Sequence, residues 1–115
     1  MADTMMSDEE RRSRLVALAT QAEAILEALE ARSPRGRWAM TAFSRYRVCE
    51  LLGIAPYGTF VGDLTADPVE LLEMAAGEAD NLGVPLEDVG WRLAVADALR
   101  SAAVDVQMVR NAGEV

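Results

Sequence analysis

The sequence predicts an all-α fold, with about four helices in a bundle-like array around one core. Three observations lead there. Apolar residues recur at three- and four-residue spacing in four segments. Each of those segments is bracketed by capping or helix-breaking residues. Only residues 53–66 form a long connection without that periodicity. At 115 residues the chain is sized for one domain with a modest core. That domain is expected to cover 8–112, after a disordered N-terminus at 1–7.

The first helix starts at Ser7 or Asp8, either of which can cap it. Asp8, Glu9 and Glu10 lie where the helix dipole favours negative charge. Leu15, Leu18, Ala22, Ile25 and Leu29 make its apolar stripe, widened by Ala19 and Leu26. It should run to Arg32, because the residue before Pro34 avoids helical geometry. At 1.5 Å per residue it would be about 37 Å long.

A second helix is expected from Arg37 to Leu52, stopped by Gly53 at a left-handed C-cap position. Trp38, Ala42, Tyr46, Cys49 and Leu52 share one face at helical spacing, with Ala39 and Phe43 beside them. The connection at 53–66 carries three glycines and Pro56, which break any helix. Thr59–Val61 leave room there for a short extended segment, while Tyr57 and Phe60 can pin the loop to the core.

Asp67-Pro68-Val69-Glu70 opens the third helix. Aspartate caps, proline fits the first turn, and Glu70 can reach back to the cap. That helix should bury Leu71, Leu72, Ala75, Ala79 and Leu82 and end at Gly83. Pro85 opens the fourth, whose seam is Val95, Leu99, Ala102, Val106 and Val109, closed by Gly113. Alanines in that seam allow close helix approach but bury less area than leucine would.

The absences narrow the chemistry. The chain has no histidine, and all eleven of its basic residues are arginine. The histidine general base, histidine metal ligands, the phosphate-binding lysine of a nucleotide loop and the Schiff-base lysine are therefore missing. Cys49 is the only cysteine, so an intramolecular disulfide and a multi-cysteine zinc site are ruled out within one chain. It reads as a small buried hydrophobe. No carboxylate cluster has a recognisable ligand spacing. The expectation is a protein that is not an enzyme and takes no cofactor or metal. The N-terminus has no basic region followed by an apolar run, and no apolar stretch approaches membrane-spanning length; a cytoplasmic protein is expected. Exclusive use of arginine is a compositional pointer to a GC-rich coding sequence, as in a high-GC bacterium or its phages.

Charge distribution carries the functional expectation. The chain has a formal net charge of −8. Between Ala31 and Cys49, however, there is no acid but five arginines: Arg32, Arg35, Arg37, Arg45 and Arg47. Trp38, Phe43 and Tyr46 are interleaved with them. Arginine and aromatic residues are enriched at protein–protein hot spots. The leading expectation is an assembly adaptor or small oligomeric structural component. It would bind another protein, or a second copy, through an arginine-to-carboxylate interface at Arg35, Arg37 and Arg47, with Trp38 as an apolar anchor at its edge.

The alternative is a small acidic inhibitor of a nucleic-acid-processing complex. Its acidic surface would be Glu70, Glu73 and Asp80, with Glu23, Glu27 and Glu30 as a matching stripe; both stripes otherwise read as solvated helix faces. A third reading has 32–47 gripping nucleic acid through phosphate pairing and base stacking. The acidic balance of the whole chain weighs against it.

Overall fold

The computed structural model describes residues 6–33, 36–55, 58 and 60–113. Helix α1 covers Asp8–Arg32, α2 Ala42–Leu52, α3 Pro68–Asp80 and α4 Val89–Gly113. A 3₁₀ turn at Arg37–Thr41 precedes α2, and another at Leu86–Asp88 precedes α4. Among the described residues there is no strand, so the loop at 53–66 shows no paired extended segment. Its expected pin Tyr57 lies outside the described residues, as does Thr59, whereas Phe60 is half-buried.

Local chemistry sets the helix starts. Ser7, one of the two capping residues expected, is the N-cap of α1. Its hydroxyl accepts from the Glu10 N–H at 3.1 Å, and its own N–H donates to Glu10 Oε1 at 2.9 Å. Of the expected disordered start, 1–5 lie outside the described residues and Met6 is exposed. Asp67 caps α3 by accepting from the Val69 N–H at 2.9 Å, with Pro68 in the first turn. Gly53 ends α2 with φ of +71°, a conformation costly for a residue with a Cβ.

Three boundaries differ from the sequence expectation. The second helix is not α-helical from Arg37: its first five residues wind as a 3₁₀ turn. Gly36, at φ of +65°, offers no side-chain cap, and the Thr41 hydroxyl donates to the Trp38 carbonyl three residues back at 2.7 Å. The third helix ends at Asp80, not Gly83. There the Asn81 side chain donates to the Gly77 carbonyl at 2.9 Å and competes with a further helical turn. The fourth takes a 3₁₀ turn after Pro85 before α4 proper begins at Val89.

Helix α3 packs against both α1 and α4, α2 packs against α4, and the 3₁₀ turn and α2 also meet α1, so the array closes around one core. The directions follow from end-to-end contacts. Asp8 at the start of α1 accepts from the Gly83 N–H beyond the end of α3 at 2.9 Å. Arg110 near the end of α4 donates to Asp67 at the start of α3 at 2.8 Å. Trp91 at the start of α4 donates its indole N–H to the Leu51 carbonyl at the end of α2 at 2.8 Å. Neighbouring helices in the order α1, α3, α4, α2 are therefore antiparallel. The 25-residue helices α1 and α4 account for a body of 49 × 27 × 26 Å.

Because α3 has helices on two sides, it buries two adjacent stripes, including Leu71, Leu72, Ala75, Ala76 and Ala79. Opposite it, α4 buries Val95, Leu99, Ala102, Val106 and Val109 as its spacing predicts, together with Ala96, Ala98 and Ala103. No helix among the described residues is long and apolar enough to cross a membrane.

Candidate interaction surface

The second helical segment decides the surface, and its orientation differs from the expected one. Its inward face carries Trp38, Thr41, Ser44, Arg45, Val48 and Cys49. Phe43 is 85% exposed and Met40 73% exposed, and Tyr46 also faces solvent. The 3₁₀ start turns each residue by about 120° instead of about 100°, so five residues of it rotate the face that follows. Arg45 is also drawn inward by carboxylates on α1, which apolar periodicity does not register.

Arg45 forms a buried two-point clasp with Glu23 of α1. Its Nε donates to Glu23 Oε1 at 3.0 Å and one terminal nitrogen to Oε2 at 2.8 Å. The other terminal nitrogen donates to the Thr41 hydroxyl at 3.2 Å, while the first also donates to Glu30 Oε1 at 3.4 Å. Burial on its own favours the neutral guanidine. The bonds and charges of Glu23, with the charge of Glu30, outweigh it and hold Arg45 protonated more firmly than a free arginine. Glu23, read from sequence as part of a solvated stripe, is therefore an internal counter-ion. The same environment pushes the Cys49 thiol up to about 11, first through burial and then through the Glu23 charge.

The other sequence-selected residues fall in different places. Arg37 and Arg47 are exposed, and none of the described residues forms an ion pair with either. Arg37 stacks only on its own neighbour, with its guanidinium 5.9 Å from the Trp38 ring centre. Trp38 itself is 5% exposed and belongs to the core, so it offers a partner little beyond its edge. Arg35 lies outside the described residues.

Glu70 and Glu73 are exposed on α3. Asp80, expected in the same stripe, is gripped at two points by Arg100 of α4, which holds its carboxyl below the usual aspartate range. Arg92 also donates to the Asp80 backbone carbonyl at 2.9 Å. The acidic stripe is thus reduced to two free-facing carboxylates.

Sequence reasoning missed the apolar side of this face. Arg37, Met40, Asp105, Met108, Val109 and Ala112 line a groove of about 240 Å³ between the 3₁₀ turn and the end of α4. Beside it the Ser44 hydroxyl donates to Asp105 at 2.7 Å and ties α2 to α4. Phe43 and Val104 each immediately precede a member of that pair, and both point outward. On α4, Leu93, Val104 and Met108 are each more than half exposed. They share one side, opposite the buried seam. Their spacing of eleven and four residues is itself helical, so this second stripe was available in the sequence.

Among the described residues no group of histidine, cysteine or carboxylate side chains could hold a metal ion. Compared with protein-family models, with curated proteins and with solved structures, the chain matches none.

Proposed function

We propose that the protein is a non-catalytic interaction module, an assembly adaptor or small oligomeric component. It docks through the face built from the 3₁₀ turn at 37–41, α2 and the C-terminal half of α4. One observation carries this reading. Met40 and Met108 line an apolar groove with Phe43 and Val104 exposed nearby, beside Arg37 and Arg47, which form no ion pair with any of the described residues. Large apolar side chains gathered on one face, as opposed to scattered singly, mark interaction sites. Methionine adapts its shape to a partner, and aromatic and arginine side chains supply anchoring and orientation.

The magnitudes fit a binding face. Fully burying one such side chain contributes about 1.5–3 kcal/mol. Four of them offset an association cost on the order of 4–15 kcal/mol only if nearly all are covered. The arginines add encounter rate and register more than affinity.

The test compares the wild type with two surface variants. One carries Met40→Ser, Phe43→Ser and Met108→Ser; the other carries Glu70→Gln and Glu73→Gln on α3. Circular dichroism verifies the fold, and quantitative proteomics measures what each captures from the native host. The first variant should lose specific partners that the second retains. Equal capture by wild type and the serine variant, with the fold intact, would sink the proposal.

A further inference from the structure

We infer that the occupant of this face is a second copy of the chain, lying antiparallel across it so that α4 pairs with α4 of the copy about a two-fold axis. The inference rests on the reading of this face as an interface, and goes further by naming what covers it. Its basis is the way charge and apolar surface are laid out along α4.

The solvent side of α4 carries Leu93, Asp97, Arg100, Val104, Met108 and Asn111, spaced by four, three, four, four and three residues. This is the seam of a helix pair. A two-fold point between Arg100 and Ser101 brings its two apolar ends together, with Asp97 opposite the copy's Val104. Reversed on itself there, Leu93 falls opposite Met108 of the copy, and Met108 opposite the copy's Leu93. Both apolar pairs form at once, as a two-fold contact requires. Near the axis, Asp97 lies about one helical turn from Arg100 of the copy.

The flanks carry opposite charge at opposite ends. Arg37 and Met40 stand beside Met108 and Ala112, at the C-terminal end of α4. Leu86, Glu87 and Asp88 stand immediately before its N-terminal end, all exposed, with Leu86 at 87%. Antiparallel pairing places the Arg37 end of each copy against the Glu87–Asp88 end of the other. It sets Met40 near the copy's Leu86 in the same step. A parallel pairing would bring like charge to like. The two ends are about 36 Å apart along the helix, too far for the charges to neutralise each other within one chain.

The chain's acidic excess does not block this arrangement. It is carried chiefly by α1 and α3, whereas α2 supplies Arg47 to the paired face and Arg100 of α4 already offsets Asp80. A single helix pair with its flanks lies at the small end of stable interfaces, so association in the micromolar range is expected.

The experiment is sedimentation velocity of the full chain from about 1 to about 500 μM, on the wild type and three charge variants. Wild type should pass from the mass of one chain to that of two. Arg37→Glu should weaken dimerisation at least about tenfold, and so should the pair Glu87→Arg with Asp88→Arg. All three changes together restore opposite-charge contacts and should recover most of the loss. The register is read separately by oxidative cross-linking. Ser101→Cys lies beside the axis and should give a disulfide-linked dimer under copper–phenanthroline. Asn111→Cys should not, because the two copies of that position are about 30 Å apart.

A chain that stays monomeric over the whole range overturns the inference, as does a dimer indifferent to the charge changes or cross-linked equally at both positions. Growth beyond two copies overturns it as well, since a two-fold contact closes. If the chain is monomeric yet the Met40, Phe43 and Met108 variant still loses its captured partners, the second-copy inference fails while the interaction module stands.

Discussion

Replacing Arg45 with methionine removes the one cation that reaches from α2 into the interior beside α1. The side chains of Arg45 and Glu23 are 1% and 8% exposed. The variant leaves the Glu23 carboxylate buried, with Glu30 beside it, and without its two charge-assisted bonds. Stranding one member of a buried pair costs about 3–5 kcal/mol. Methionine has a similar length and recovers about 1–2 kcal/mol through burial of its own apolar surface. The net expectation is a loss of about 1–4 kcal/mol, a large share of the roughly 5–15 kcal/mol that holds a domain of this size folded. In thermal unfolding that is a drop of roughly 4–16 °C. Adding Glu23→Leu removes the stranded charge, so the double variant should return to within about 1 kcal/mol of wild type or exceed it. Urea unfolding of wild type, both single variants and the double variant closes the thermodynamic cycle. If Arg45→Met unfolds within about 0.5 kcal/mol of wild type with the same urea dependence, the clasp is not desolvated and the reasoning fails.

Two further outcomes follow from the described geometry. The Asp67 carboxyl is held below its usual range, chiefly by the Arg110 guanidinium and further by the Val69 N–H, while burial opposes them. A lowered folded-state value means the contribution is complete above about pH 4 and vanishes as pH falls through that lowered value. Asp67→Ala should therefore cost about 1 kcal/mol at neutral pH, and the gap to wild type should close in urea unfolding near pH 2; a constant gap would count against it. Cys49, with its thiol raised to about 11, should react with a disulfide reagent at pH 8 at least about a hundredfold more slowly than in the urea-unfolded chain. Equal rates in both states would contradict its burial.

Most of the helical framework was legible because its signals are local. Ser7 with Glu10, Asp67 with Pro68 and a glycine at position 53 each act within one turn of chain. The seam of α4 from Val95 to Val109 was legible for the same reason, since an amphipathic stripe registers in spacing alone. The inner face of α2 was not. Apolar periodicity ranks Phe43 and Tyr46 above Arg45 as core residues, and it ranks Glu23 as surface. Two opposite charges far apart in sequence reverse that order when they meet, since each supplies what the other lost on leaving water. The candidate surface suffered the same inversion. Arg37 and Arg47 were placed outward from sequence, but Trp38 proved internal, while Met40, Phe43 and Met108 proved external.

What the sequence by itself determined is the all-helical architecture, where its helices begin and end to within a few residues, and the concentration of arginine at 32–47. Those depend on interactions between neighbours along one helix or on composition. Only the tertiary structure decided which arginine is structural and which face solvent. It also neutralised Asp80 through Arg100 and set Met40 against the end of α4. Each of these depends on two elements being brought together, and the 3₁₀ turn before α2 sets the rotation at which they meet.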